Sequence, residues 1–445
     1  MNRLRRLKHT YLEKIKSSPL GYRLAKGAFW SITGSAIARV LTLLAAIMVA
    51  RLIGKREFGE LGIIQATVGT FGALAAFGMD STTAKYVAEL RNKDGVRAGR
   101  IIQLAEIVSV ALGTVLTFAF VFGASWISAN LLSAPHLAGL LRIGSVLLFC
   151  AAVNSSQTGS LAGFEAFKTI MKINAISGGI TFVLTLAGVY LFGLRGVVYA
   201  LVVSMVMTLL LNHFYLRLVA ANAGVLLDDK SYFREWRVIV RFSLPAILSW
   251  ILVGPVNWVC SAMLVNRPHG YDEMGIFNAA NQWRAIILFF PTSVATVVLP
   301  ILSNLAGAEE KGHYNKVLIY NVFFNGGITI VLAGGISILS TMIMSSYGKD
   351  FSSGGLILTI LSFSAVLAAV ANVFGGAIAS SGKMWIGFAL NFVWAVFLIV
   401  TTYVFIERGA LGIAIANLVA YSAHLLLIGL FTYAVLIRPH MKSLA

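Results

Sequence analysis

Apolar runs of about twenty residues, the length that crosses a bilayer as a helix, recur along almost the whole chain and leave little else for it to become. Charged or turn-rich breaks separate twelve of them, at 27–51, 59–79, 101–123, 138–160, 173–193, 196–216, 242–266, 276–302, 317–339, 355–380, 385–406 and 410–436. They are numbered here as spans 1 to 12. Only Leu194 and Arg195 part spans 5 and 6. Twelve spans of about 22 residues use about 260 positions, so the ends and loops are short and leave no room for a folded domain outside the bilayer. Of 445 residues, 58% are hydrophobic and 12% charged, with a mean hydropathy of +0.85. A soluble domain carries about 25% charged residues, so an ordinary cytosolic enzyme is excluded, as is a disordered or fibrous chain. A membrane barrel would show alternating segments of about ten residues, and none are seen. The expected fold is an all-α integral membrane protein.

The charges are few but lopsided: 35 basic against 17 acidic residues, a formal +18. With the N-terminus in the cytoplasm, 25 basic residues fall on the inner side and seven on the outer, and three lie within spans. The inner set includes the arm from Arg3 to Lys26, the loop from Lys85 to Arg100 and the linker from Arg217 to Arg241. Such a split follows the positive-inside rule, and binding of the arm to anionic lipid headgroups follows with it. The basic excess therefore gives no reason to invoke nucleic acid. The arm lacks a short apolar stretch followed by a small-residue cleavage site, so no cleavable signal is expected. Cys150 and Cys260 both fall within spans, which speaks against a disulfide framework.

The chain divides into a basic arm (1–26), six spans (27–216), a linker (217–241), six more spans (242–436) and a tail (437–445). An offset near 216 residues aligns Phe58-Gly59-Glu60-Leu61-Gly62 with Met274-Gly275-Ile276-Phe277, and Arg100 with Lys316. The polar end of span 4, from Gln157 to Lys168, aligns with the end of span 10, from Gly375 to Lys383. Six spans per unit keeps both halves in the same sense, a parallel repeat about an axis along the membrane normal. Two six-helix bundles around a central cavity are expected.

Several segments carry a resemblance. They are Ala50 to Gly59, Phe77 to Glu89, Gly275 to Gln282 and Leu299-Pro300-Ile301-Leu302-Ser303. In that order and among twelve spans, they resemble the polysaccharide transporter, or Wzx-type O-antigen flippase, branch of the multidrug/oligosaccharidyl-lipid/polysaccharide (MOP) exporter superfamily. The resemblance covers residues 20–436. It implies transport of an undecaprenyl-pyrophosphate-linked oligosaccharide from the inner to the outer leaflet of a bacterial cytoplasmic membrane, by alternating access. The product feeds O-antigen, capsule or exopolysaccharide synthesis. It also implies a polysaccharide polymerase and glycosyltransferases as partners. Many members of the family carry an acid in span 7, where this chain has Asn257-Trp258. A coupling role tied to that acid is therefore in doubt.

Ionisable side chains within spans are costly and tend to face a cavity or a partner. Arg39 lies twelve residues into span 1, with Ser31, Ser35 and Thr42 inside an arc of about 80° at 100° per residue. Its guanidinium suits a phosphate; the bland reading is snorkelling, or neutralising an acid such as Glu106. Span 8 opens with Asn278, Asn281, Gln282 and Arg284, amides suited to sugar hydroxyls and a cation suited to pyrophosphate. Interhelical hydrogen bonding is the alternative. The resemblance supports both arginines, since lipid-flipping relatives keep arginines on their first and eighth spans. In span 3, Gln103, Glu106, Thr114 and Thr117 share an arc of about 80°. Glu106 reads as an interfacial carboxylate, or as a proton or sodium coupling site. Arg142 reads as snorkelling near the outer face or as a secondary cavity residue. His213 and His424 read as packed or interfacial. Pro245, Pro255, Pro291 and Pro300 put half of the eight prolines into spans 7 and 8, as kinks that either move or merely fit.

No phosphate loop, dinucleotide fingerprint or metal-ligand cluster is seen; Gly376 to Met384 has the wrong spacing for a phosphate loop. No cofactor is expected, and the chain should not hydrolyse ATP. Three rivals remain. A multidrug or organic-ion antiporter of the MATE kind would want cavity carboxylates. A membrane-bound glycan polymerase or ligase would want a large outside loop. The third is a scaffold without transport.

Overall fold

The computed structural model describes residues 19–227, 231–238, 243, 252–307 and 311–437. The first 18 residues of the basic arm, parts of the linker, most of the first half of span 7 with Pro245, and the tail beyond Ile437 lie outside the described residues. No strand occurs among the described residues. Among the described residues, seven helical stretches are long and apolar enough to cross a bilayer. Three of them, Thr33–Leu90, Phe167–Asn222 and Met384–Val435, each hold two spans. Span 8 is carried by the helix Gly270–Gly307, and the described part of span 7 is the helix Val253–Val265.

All three double stretches turn at a glycine of positive φ, the third at Gly409 (φ 62°, ψ −137°). Gly54 (φ 77°, ψ 174°) separates spans 1 and 2, and Gly193 (φ 57°, ψ −138°) separates spans 5 and 6. A residue with a Cβ rarely adopts these angles, so each glycine reverses the chain with hardly a loop. The second reversal falls one residue before the Leu194-Arg195 break. Span 2 ends at Ala76, and Phe77 and Gly78, both at positive φ, turn the chain into a separate helix, Met79–Leu90. Span 4 is split at Ser145 into Ala138–Gly144 and Val146–Gly163. Span 10 matches its expected bounds, Gly355–Ser380.

Spans 2 and 8 cross almost backbone to backbone. A Cβ on Gly59 would overlap the Tyr271 carbonyl oxygen, and one on Gly275 would overlap the Lys55 carbonyl oxygen. Residues 55 and 271, and 59 and 275, are equivalents at the repeat offset of 216. The two overlaps are thus one contact made twice, the signature of a two-fold axis. Three residues further on, a Cβ on Gly62 would press into the side chain of Asn278, its own repeat mate.

This crossing sits in a large hydrophobic core at the end that holds the Gly54 and Gly193 turns. Both halves contribute, from Val49, Phe58, Ile63 and Leu132 to Phe277, Tyr347, Phe351 and Ile413. Phe58 lies 5.9 Å from Phe351, edge on, and 6.1 Å from Tyr347. Asn266 binds back to the first half, donating to the Leu131 carbonyl at 2.7 Å and hydrogen-bonding Ser133. At the opposite end, which carries Lys85, Arg91, Lys93, Arg97 and Arg100, the cores are separate. One is built from Val87, Ile101, Leu161, Ile173 and Leu216 with the linker's Val225 and Val238. The other holds Leu302, Tyr314, Leu318, Ala377 and Ile428. The halves are therefore welded at a closed end and diverge toward the basic end. Spans 2 and 7 stay joined on one flank, where Trp258 Nε1 donates to Thr67 Oγ1 at 2.9 Å; just beyond, the hydroxyls of Thr82, on the Met79–Leu90 helix, and Ser243 of span 7 meet at 2.7 Å.

Side chains too large for the crossing should pry the closed end open. In a chain whose only thiols are Ser133→Cys and Asn266→Cys, a disulfide should form readily between the halves. Adding Gly275→Leu should slow it at least about fivefold, since overpacking costs about 1–3 kcal/mol; an unchanged rate would place the crossing elsewhere. Glu57, in the turn beside Gly54, gives a second test. Although Glu57 is exposed, partial desolvation and the neighbouring Glu60 carboxylate push its carboxyl up, partly offset by a hydrogen bond from the Leu194 backbone. A carboxyl raised above its unfolded value destabilises the fold only where it is ionised. Glu57→Gln should therefore raise the thermal midpoint at neutral pH, and the gain should vanish as pH falls through the raised value.

Candidate functional site

The predicted polar residues fall into three groups. Arg39, in mid-span 1, is exposed, and its guanidinium reaches across the seam to span 8, 4.7 Å from the Phe289 ring centroid. A helical Cβ tilts toward the helix N-terminus, which aims this side chain toward the basic end, where the halves diverge. Ser35, one turn earlier, is half-buried, and Thr42 donates to its own helix at the Ala38 carbonyl, 2.8 Å away. Arg39 has no carboxylate partner among the described residues.

The span 8 set disperses. Asn278 packs against Gly62 in the crossing, and its Nδ2 is buried without a hydrogen-bond partner. Gln282 Oε1 accepts from the Tyr347 hydroxyl at 3.2 Å, inside the closed end. Asn281 is half-buried. Arg284 turns into the second bundle. Its Nε donates to Ser364 Oγ of span 10 at 3.2 Å, and its guanidinium lies 5.2 Å from the Tyr421 ring of span 12. Its Nη2 is buried with no partner. In this conformation, Asn278 is packed into the crossing and Gln282 is bonded to Tyr347 in the closed end, while Arg39 and Arg284 lie outside it with unspent hydrogen-bonding capacity.

Glu106 faces neither arginine. Its Oε1 accepts from Gln157 Nε2 of span 4 at 3.4 Å and lies 3.9 Å from His213 Nδ1 of span 6. His213 is thus more than a packed residue, and no spacing within one span could have paired it with an acid three spans away. Arg142 is exposed and donates to Ser125 Oγ at 2.6 Å. That local contact fits the snorkelling reading. The rings beside Arg284 were not singled out in the sequence. Trp394 stacks on Tyr421 at 5.4 Å and lies 6.4 Å from His424, with Trp394 Nε1 and His424 Nδ1 both buried and unpartnered. Aromatic residues at helical spacing read as core, and only their convergence on Arg284 marks them. Cys150 and Cys260 are free and buried.

Residues 24–306 match the model of the family described as polysaccharide biosynthesis protein. The chain belongs to that family. It is 25% identical over 404 residues to the EPS I polysaccharide export inner membrane protein EpsE of Ralstonia nicotianae, covering 87% of this chain and 89% of that one. It is 23% identical to the lipopolysaccharide biosynthesis protein WzxC of Escherichia coli, covering 94% and 81%. It is also 23% identical to the lipid III flippase of the same organism, over 64% and 69%. Among solved structures, an inward-facing MATE family multidrug transporter of the MOP superfamily superposes with a TM-score of 0.76 at 18% identity, covering 93% of this chain and all of that one. A MOP superfamily transporter from Pyrococcus furiosus, described as having a binding pocket of reversed polarity, gives 0.70 at 17% identity over 93% and 96%. The fold is the MOP fold, carried by a chain of the polysaccharide biosynthesis family whose helices are long and apolar enough to cross a membrane several times.

The unsatisfied state of Arg284 makes a stability prediction. Removing a buried cation that lacks an ionic partner lifts its desolvation penalty, while about 0.5–2 kcal/mol of contact with the Tyr421 ring is lost. Arg284→Leu should leave the thermal midpoint unchanged or raised in detergent. A fall of several degrees would mean that the arginine is structural.

Proposed function

We propose that this protein flips a lipid-linked oligosaccharide, carried on a polyprenyl pyrophosphate of the undecaprenyl type, from the inner to the outer leaflet of a bacterial cytoplasmic membrane. The observation that carries the reading is that Arg39 and Arg284, both inside apolar spans, have no carboxylate partner among the described residues. A cation at that depth is costly, and an anionic headgroup offsets the cost through charge-assisted hydrogen bonds. An organic-cation antiporter would place acids there, so the same observation disfavours it. The names of the relatives point the same way, being those of polysaccharide exporters and of a lipid III flippase.

The basic end, in this reading, faces the cytoplasm, with both termini on that side, as the positive-inside distribution predicts. The headgroup enters between the diverging halves and meets Arg39 first. The lipid tail stays in the bilayer, so only the hydrated head needs shielding from about 30 Å of hydrocarbon. Opening of the closed end then releases the head to the other side. The lipid-linked product suits a polymerase outside, and glycosyltransferases inside supply the substrate.

Reconstitution into liposomes with a fluorescent polyprenyl-pyrophosphate oligosaccharide tests the reading. Arg39→Ala and Arg284→Ala should each slow flipping at least about tenfold, since a lost hydrogen bond to a charged group costs about 1.5–3 kcal/mol. Arg142→Ala should flip at the wild-type rate. Full activity in both of the first two variants would remove the binding assignment. Export of organic cations without any glycolipid flipping would replace the flippase with the antiporter.

A further inference from the structure

Two clasps between the halves hold the closed end at its outer surface, and the 216-residue offset relates them. At the end of span 7, Asn266 Nδ2 donates to the Leu131 carbonyl at 2.7 Å, and nearby the Tyr271 hydroxyl donates to the Leu132 carbonyl at 2.7 Å. At the end of span 1, Arg51 Nε donates to the Ser346 carbonyl. Arg51 is the repeat mate of Arg267, next to Asn266, and Ser346 is the mate of Asn130, next to Leu131. Each half thus reaches from the end of its first span to the turn that follows the other half's third span.

The two clasps differ in chemistry. The one from the second half uses a neutral amide and a phenol, and the neighbouring Arg267 is spent on Glu407 of its own half at 2.8 Å. At the position equivalent to Glu407 the first half has Leu191, so Arg51 meets no such acid. Among the described residues, Arg51 has no carboxylate within ion-pair distance, and its guanidinium is bonded to a main-chain carbonyl. The side chain is exposed, as is Lys349 three residues beyond Ser346. Asp350, which follows Lys349, is exposed and forms no ion pair among the described residues.

A neutral amide would make the same bond to a carbonyl, as Asn266 does in the mate clasp. Arginine adds a charged planar fork with five donors, which fits two phosphate oxygens side by side. While the closed end is shut, Ser346 occupies the Nε edge of that fork. Parting of the halves withdraws Ser346 and leaves the edge free. We propose that Arg51 is an exit-side binding residue for a phosphate or pyrophosphate group, available only when the closed end is open. A ligand that binds one state shifts the equilibrium toward it, so such an anion also holds the closed end apart. A headgroup leaving through the outer mouth meets this cation after Arg39 and Arg284, and its hold keeps the mouth from shutting on it. The proposal rests on the flippase reading only for the identity of that headgroup, since inorganic pyrophosphate probes the site without lipid.

The test uses the purified full chain in detergent, with spin labels at Phe192→Cys and Val404→Cys in a background lacking Cys150 and Cys260. Both positions are exposed, beside the outer turns of the two halves. Titrated inorganic pyrophosphate should lengthen the label separation. Arg51→Gln should need at least about fivefold more pyrophosphate for the half-maximal change, the equivalent of about 1 kcal/mol, and Arg51→Lys should fall between. Arg39→Ala combined with Arg284→Ala should keep the response. A response unchanged in Arg51→Gln, one lost with Arg39 and Arg284 while Arg51 is intact, or one reproduced by sodium chloride at matched ionic strength would each overturn the proposal. Should Arg51→Gln fail to fold, the midpoint of Arg51→Lys decides alone. In proteoliposomes, an Arg51-dependent change with polyprenyl pyrophosphate and none with phosphatidylglycerol assigns the site to the substrate headgroup, and equal changes assign it to lipid phosphate in general. A wild type that shows the Arg51-dependent response and flips no glycolipid would remove the flippase and leave the anion site standing.

Discussion

The crossing of spans 2 and 8 is the contact on which the architecture turns. Two transmembrane helices come within touching distance of their backbones only where side chains are absent, which is why small residues gather at such interfaces. Gly59 and Gly275 provide that absence twice, at equivalent positions. The pseudo-two-fold axis therefore runs through a point where nothing can be added. Around it, Phe58, Tyr347 and Phe351 fill the closed end with rings from both halves. At the other end, nothing comparable joins the bundles among the described residues. Beyond the flank where spans 2 and 7 stay joined, each half there keeps its own core.

That asymmetry gives the unpaired cations their meaning. Within one rigid bundle, an arginine at membrane depth would be expected to find a carboxylate or be replaced by an apolar residue of similar volume, because an uncompensated buried charge costs several kcal/mol. Arg39 instead stands at the seam with a ring face as its contact, and Arg284 keeps an open donor between spans 8, 10 and 12. Cation–π contact is weaker than an ion pair and is easily given up to a phosphate. A site that binds and then releases an anion should hold its cations in this way, loosely and without a competing acid.

Much of this was legible in the sequence, and the legible part follows a physical rule. Twelve apolar runs, the basic asymmetry and the 216-residue offset all express constraints that act along the chain, such as bilayer thickness, translocation and duplication. The offset even anticipated the Gly59–Gly275 equivalence, though not that the two glycines pack at one crossing. What stayed hidden depends on which helix faces which. Asn278, Asn281, Gln282 and Arg284 follow one another along span 8, yet Asn278 packs on Gly62, Gln282 meets Tyr347 and Arg284 meets Ser364 and Tyr421. Glu106 and His213 lie 107 residues apart in sequence, and no periodicity connects them. Tyr421 is likewise indistinguishable in sequence from a core aromatic, and only its contact with Arg284 sets it apart.

The same dispersal bears on how a carrier could work. A ligand shifts a conformational equilibrium only by its difference in affinity for the two states. A binding surface that is unchanged between states would therefore drive nothing, however tightly it bound. Here the span 8 polar groups are not all available at once. Asn278 and Gln282 are committed to the closed end, to Gly62 and Tyr347, while Arg39 and Arg284 keep free capacity. Parting the crossing would uncover the two amides and leave the arginines in place. In the flippase reading, the pyrophosphate would then be held in both states and the sugars would gain contacts in only one. That difference is the quantity alternating access requires, and it arises from which residues the closed end consumes.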